Sequence, residues 1–402
     1  MLKLKKKLFV IIMIFPILVS YAQLEESTPY WLMGFKQLYK ENPNKASKAW
    51  FKDAKFGMFV HLNLASLLER GKDDYYIWAH NTRPVPDSML NTVGLTREQY
   101  RYAENKNAIL YEQYLLKEFS ANSICKLAKE AGMSYITFTT HHLGGGYNFE
   151  TSLSDFNSLK APCKKDLVAE MAAACKSYGL ALFLYVPPQI SKTTDAIYEH
   201  NKTYLIELLT QYGPVAGIWF DGIGGYNKNP EDYEHLADLH ALVKNIQPQA
   251  LISFKEGALG DEDFISPEHF MLPFEYSWKD KGINKRFQIR VDRWKDTYPT
   301  RWEYGTKNKL REVNTVMQKC IGREDTGSDG GWINDETATH YNAEQVYNWL
   351  TYSRYTGSNL LMNIGPRRDG SIHPDDVKAL REVGQMIKTK GWPKLYNLPH
   401  EH

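Results

Sequence analysis

The sequence predicts an α/β fold, a (β/α)8-like barrel of parallel strands joined by helices, and three observations carry that reading. Short apolar runs alternate with helical patterns along most of the chain, and that rhythm suits parallel strands with helical crossovers. The run Gly217–Phe220 reads G-I-W-F, apolar at every position, as a strand buried on both faces must be, and it stops abruptly at Asp221. No G-x-G-x-x-G follows the first strand, which makes an open doubly wound sheet the runner-up.

Seven segments have the length and composition of strands: Phe56–His61, Tyr135–Thr140, Ala181–Val186, Ala216–Phe220, Ala250–Phe254, Phe274–Trp278 and Asn359–Ile364. Helices with a period near 3.6 lie between them. Lys164–Tyr178 places Leu167, Met171 and Cys175 on one face. Thr203–Tyr212 repeats Tyr204, Leu205, Leu208 and Leu209, and Asp232–Ile246 ends before Pro248. Asp375–Ile387 carries Val377, Leu380, Val383 and Ile387. Ala65–Tyr114 shows no strand pattern and reads as a long first loop over the barrel mouth. No repeat or Gly/Ser linker interrupts residues 23–402, so they are expected to form one domain.

Residues 1–22 are a separate object. Four lysines between Lys3 and Lys7 precede the apolar run Leu8–Leu18, and Ser20-Tyr21-Ala22 sets small residues at signal-peptidase spacing. The expectation is export to a periplasm or the cell exterior, with cleavage near Ala22. The run is too short to span a bilayer, so no membrane insertion should persist after cleavage.

Across 402 residues, 43% are hydrophobic and the formal charge is +2. That supports a sizeable core and disfavours nucleic acid as a partner. Ten Trp and 26 Tyr supply aromatic faces that suit sugar rings or a large core equally. Cys125, Cys163, Cys175 and Cys320 show no C-x-x-C spacing, so neither a zinc knuckle nor a required disulfide is expected.

The chemistry gathers at strand ends, where barrels of this class place their active sites. Asp221 ends one strand, His61 ends another, and His141-His142 follow a third. An Asp-Gly can equally cap a helix, and strand-end imidazoles can ligate a metal or bind hydroxyls. Neighbours on extended chain point to opposite sides, which disfavours one ion shared by His141 and His142. A partner carboxylate is sought after Ala250–Phe254, where Asp261, Glu262, Asp263, Glu268 and Glu275 occur. Pro267 precedes Glu268, and Phe264, Ile265, Phe270 and Met271 surround it with apolar groups that favour the protonated acid. Glu275 and Glu303 remain rivals for that role.

These residues carry a resemblance to the alpha-L-fucosidases of glycoside hydrolase family 29. Seven segments agree in order: A-K-F-G-M-F-V-H from Ala54, T-T-H-H-L-G-G from Thr139, S-D-F-N-S from Ser154, K-K-D-L-V-A-E from Lys164, G-P-V-A-G-I-W-F-D-G from Gly213, S-P-E from Ser266, and G-S-N-L-L-M-N-I-G-P from Gly357. The likeness covers about residues 45–390. It implies a TIM barrel and a retaining exo-glycosidase that needs no cofactor or metal and releases L-fucose from glycans. By position, Asp221 resembles the nucleophile and Glu268 the acid/base, while His61, His141 and His142 resemble the imidazoles that hold fucose hydroxyls. Tyr76, Trp78, Lys255 and Glu303 are further candidates for contact with substrate.

Four departures stand out. Leu62-Asn63 replaces the usual Trp-Gly, Leu143-Gly144-Gly145 replaces Asp-Gly-Phe, and Lys255 stands where many relatives carry Arg. The chain also reaches His402 soon after its last helix, so a C-terminal β-sandwich is not expected. The subsite changes leave open a modified fucose or a galactose-like sugar. A non-catalytic carbohydrate-binding barrel stays open too, as does a metal-dependent hydrolase using His61, His141 and Asp221.

Overall fold

Eight parallel strands close on themselves in the computed structural model, which describes residues 28–80, 83–142, 144–188, 195–222, 230–255, 261–266, 309–319 and 331–394. The strands are β1 (Phe56–Val60), β2 (Tyr135–Thr139), β3 (Ala181–Val186), β4 (Gly217–Phe220), β5 (Leu251–Ser253), β6 (Phe264–Ile265), β7 (Leu310–Val316) and, after an antiparallel pair β8 (Gln318–Lys319) and β9 (Thr339–His340), β10 (Asn359–Ile364). β1 joins β2 on one side and β10 on the other, with Val60 level with Ile364. Among the described residues six helices surround the barrel: α1 (Ala121–Glu130), α2 (Leu167–Tyr178), α3 (Asp195–Gln211), α4 (Pro230–Ile246), α5 (Ala343–Tyr355) and α6 (Pro374–Lys390).

Alternation along each strand divides the core in two. Met58, Phe138, Leu184, Ile218, Phe220 and Met362 face outward and pack with the helices. Phe59, Tyr135, Phe183, Tyr185, Trp219, Leu251, Phe264 and Leu361 fill the lumen. Two glycines make room for the large lumen rings. A Cβ on Gly57 would stand 2.4 Å from the Tyr135 ring, and one on Gly217 would stand 2.6 Å from Phe183 and 2.3 Å from the Leu251 carbonyl.

The lower end of the lumen is stoppered by the N-terminal segment. Trp31, Leu32, Ala46 and Phe51 belong to the lumen cluster, with the Phe51 ring 4.7 Å from Phe264 and 5.6 Å from Phe183. Asn42 caps the helix Pro43–Phe51 by accepting from the Lys45 amide, and Pro43 opens it. From that helix Lys48 reaches the buried Asp263 at 2.9 Å, while Lys244 on α4 meets the same carboxylate at 2.5 Å.

The barrel closes through Phe264–Ile265 and Leu310–Val316, neither of which the apolar-run criterion singles out; the strand candidate Phe274–Trp278 lies outside the described residues. The segment expected as an irregular loop, Ala65–Tyr114, is largely helical. It holds Gly71–His80, Asp87–Thr92, Arg97–Tyr102 and Lys106–Tyr111, with Trp78, Met89, Leu90 and Tyr100 buried. Its Tyr and Asn content reflects caps and packing: Thr96 and Asn105 accept from helix amides, and the Tyr100 hydroxyl donates to the Trp78 carbonyl. Among the described residues, Cys125, Cys163 and Cys175 are free thiols, and the sulfurs of Cys125 and Cys175 lie 3.8 Å apart between α1 and α2. Cys320 and the leader lie outside those residues. No described helix is long and apolar enough to cross a membrane.

Candidate active site

The inward parity of five strands, β1, β3, β4, β5 and β7, delivers a polar side chain from each to the upper rim. On β4, Trp219 faces the lumen and Asp221, two residues on, faces the same way into a pocket. His61 after β1, Tyr185 on β3, Lys255 after β5 and Asn314 on β7 line that pocket by the same rule, and His142 enters from beyond β2. Phe59, Trp219 and Trp332 give it an aromatic floor and wall.

Asp221 is the best-supported group in this pocket. The Tyr185 hydroxyl donates to its Oδ2 at 2.8 Å, while Lys255 Nζ and the Gly222 amide donate to Oδ1 at 2.9 and 2.7 Å. Burial pushes the carboxyl up, yet the Lys255 ammonium and the two other donors outweigh it and hold Asp221 well below the usual carboxylate range. Its side chain keeps 23% exposure. A carboxylate so placed is ionised, oriented and reachable, which is what a nucleophile requires.

Lys255 achieves its position with a left-handed backbone, φ +55°. A non-glycine residue there costs on the order of 1 kcal/mol. The Ser266 amide holds it by donating to the Lys255 carbonyl at 2.7 Å.

The two imidazoles in the pocket are set by neighbouring amides. Asn363 donates its amide N–H groups to the Gly331 and Trp332 carbonyls, so its oxygen faces His61 Nδ1 at 2.6 Å. His61 Nδ1 is therefore the donor, and in the neutral ring Nε2 is an acceptor. His142 stands edge-on to His61, ring centroids 5.1 Å apart, with Asn63 Nδ2 3.5 Å from its Nδ1. Asn63 also caps the turn Leu64–Leu68, accepting from the Ala65 amide.

The remaining sequence candidates separate. His141 turns away from the pocket onto Tyr147, ring centroids 4.7 Å apart, and burial holds its imidazole down to about 4. Adjacent residues on extended chain face opposite ways, so one of the pair had to leave. The set His61, His141 and Asp221 therefore does not converge, and among the described residues no three His, Cys, Asp or Glu side chains are grouped as metal ligands. Trp78 is fully buried, 4.9 Å from the Tyr100 ring, and takes no part in the pocket wall. Its bulk serves the packing of the helical segment on the barrel. Glu268, Glu275, Glu303 and the Tyr76 side chain lie outside the described residues.

Five pocket residues escaped the sequence reading: Phe59, Tyr185, Asn314, Trp332 and the ring of Trp219. The signal for two of them was present. Trp219 stands two residues before Asp221, and Tyr185 pairs with Trp219 across β3 and β4.

A family model described as alpha-L-fucosidase matches residues 33–392. The chain belongs to the alpha-L-fucosidase family. Its similarity to individual alpha-L-fucosidases is distant. Alpha-L-fucosidase 1 of Arabidopsis thaliana is 26% identical over 282 residues, which are 66% of this chain and 51% of that protein. The plasma alpha-L-fucosidase of Rattus norvegicus is 24% identical over 374 residues, 85% of this chain and 69% of that one. This family member thus spans about half the length of the Arabidopsis relative. Among solved structures, alpha-L-fucosidase isoenzyme 1 from Paenibacillus thiaminolyticus superposes with a TM-score of 0.64 at 20% identity, covering 87% of this chain and 77% of that one. An alpha-L-fucosidase from Lactobacillus casei, solved with alpha-L-fucose product, gives 0.60 at 19% identity, covering 86% and 98%. At such identities the structures attest the shared barrel.

Proposed function

We propose that the protein is an exported exo-glycosidase that hydrolyses terminal alpha-L-fucosides with retention of configuration. One observation carries the reading. Asp221 ends an inward-facing strand position, is held ionised by Lys255 and Tyr185, and borders a pocket of imidazoles and aromatic rings. Aromatic faces suit the apolar face of a sugar, and His61 and His142 offer polar atoms to its hydroxyls.

In this reading Asp221 attacks the anomeric carbon while Glu268 gives a proton to the departing oxygen. Glu268 then takes a proton from water, which opens the glycosyl-enzyme and returns both carboxyl groups to their starting states. Glu268 stands two residues after Ser266 in the sequence, among apolar residues that favour a protonated acid. Retention calls for roughly 5–5.5 Å between the two carboxyl groups. The lysine-rich, apolar start of the chain supports export.

The test pairs two variants on aryl alpha-L-fucosides. Asp221→Asn folds and loses turnover by about 10⁴-fold or more, the scale on which losing a unit of the catalytic machinery is felt. Glu268→Ala keeps substantial turnover on a dinitrophenyl fucoside, whose leaving group needs no proton, and loses it on an alkyl fucoside. Equal losses on both would move the acid to Glu275 or Glu303. Proton NMR of the first-formed anomer reads retention directly, and parallel D-galactosides test for a galactose-like substrate. A wild-type protein that binds fucose saturably and cleaves no glycoside would replace the enzyme with a binding barrel.

A further inference from the structure

Below the pocket lies a titratable group that the proposed chemistry does not use. Glu312 on β7 faces the lumen and is 1% exposed. Its Oε2 accepts from the Tyr135 hydroxyl at 2.6 Å, and its Oε1 accepts from Trp219 Nε1 at 3.1 Å and from Ser266 Oγ at 2.6 Å. Three donors, from β2, from β4 and from the residue just after β6, converge on one buried carboxyl. Burial unsatisfied by partners is costly, so these contacts are strongly held.

Two of those donors lead to the reacting groups. Trp219 lies on the strand that ends in Asp221, and its indole stacks on Tyr185, centroids 5.7 Å apart at 22°. Tyr185 in turn donates to Asp221 Oδ2. Ser266 closes β6 and stands two residues before Glu268 in the sequence. Its amide donates to the Lys255 carbonyl, its hydroxyl to Glu312, and its own carbonyl accepts from Asn314 Nδ2 at 2.7 Å. Ser266 is thereby fixed from three directions.

We propose that Glu312 is a positioning residue that ties the strand carrying the nucleophile to the strand end leading to the proton donor, and so sets the separation of the two carboxyl groups. This rests on the assignment of Asp221 and Glu268 above. Glu312 touches no reacting atom and acts through Trp219, Tyr185 and Ser266. Misplacement of a reacting group by about 1 Å costs roughly 100-fold in rate, so a loosened brace lowers kcat more than it raises KM.

The test compares Glu312→Met, which keeps volume and removes both acceptors, with Glu312→Gln. In the Gln variant the amide oxygen serves Trp219 and Ser266, and the amide nitrogen donates to the Tyr135 hydroxyl oxygen. Glu312→Met is expected to lower kcat on an aryl fucoside by about 10- to 100-fold with KM changed less than about threefold, and the loss grows as the leaving group becomes poorer. Glu312→Gln recovers most of that loss. The Trp219 indole N–H resonance, assigned with Trp219→Phe, shifts in Glu312→Met and stays near its wild-type position in Glu312→Gln, a readout independent of turnover. A folded Glu312→Met with wild-type kcat overturns the inference, as does equal impairment of the Met and Gln variants. If Glu312→Met does not fold, Ser266→Ala carries the test, with a smaller loss of the same leaving-group dependence expected and an unchanged kcat overturning it. A wild-type protein inactive on every fucoside would sink the functional reading itself; an active wild type with an unimpaired brace variant sinks this inference alone.

Discussion

Lys255 shows how much one residue does for Asp221, the proposed nucleophile. It supplies the charge that holds Asp221 ionised, and it does so from a backbone conformation that most side chains avoid. Because the ammonium depresses the carboxyl, removing it raises the carboxyl again. A nucleophile must be ionised, so activity falls as pH drops through its pKa. Lys255→Met is therefore expected to move the acidic limb of the kcat/KM profile to higher pH, measured on an activated aryl fucoside. An acidic limb that stays where it is in the variant would separate Lys255 from the ionisation of Asp221. Asp221 itself was readable in sequence, since it interrupts an apolar run with a charge. Trp219 was hidden to composition, which does not tell inward from outward when both faces of a strand are apolar; only its spacing of two from Asp221 marks its face. Glu312 was hidden for the opposite reason, because L-R-E-V-N-T-V looks too polar for a buried strand until its three donors are seen.

At the scale of elements, the strands legible beforehand are those whose both faces are apolar. Ala181–Val186 and Asn359–Ile364 have the extents that their composition suggests. β6 and β7 were missed, since β6 is two residues long and β7 spends its inward face on Glu312 and Asn314. The helix α5 was also missed, although it has a capping box between Asn342 and Gln345. The register of β4 rests on a residue with no side chain. At Gly217 a methyl group would meet the Leu251 carbonyl at 2.3 Å, an atom of the barrel ladder that cannot yield without shifting β5. Gly217→Ala is thus expected to destabilise the protein by about 1–3 kcal/mol, the usual range for overpacking, read from urea unfolding midpoints. Stability equal to wild type would mean that the barrel tolerates a shift between β4 and β5.

For the whole molecule, the buried lumen has an acid–base cost. Burial raises the Glu312 carboxyl from 4.5 to about 7 in spite of its three donors. The folded protein then holds a proton between those two values that the unfolded chain has already released. Stability from this group is full below pH 4.5 and is lost as pH rises to about 7, by about 3 kcal/mol. Asp221 has the opposite shift and matters only at pH values below the ordinary carboxylate range. The difference in unfolding free energy between wild type and Glu312→Gln should therefore change with pH across that window; a constant difference from about pH 4.5 to about 7 would show that Glu312 titrates as an ordinary carboxyl.

The stopper at the base of the barrel carries a further consequence, for the order of assembly. Phe51 precedes every barrel strand in the sequence, yet the surface it covers is made by Tyr135, Phe183 and Phe264. During synthesis that early side chain meets β2 and β3 first, and its seat is complete only when β6 has been laid beside β5. Docking of the first helices is accordingly complete only after six of the eight barrel strands have been made. A chain halted before Phe264 would leave its own beginning only partly buried and sticky.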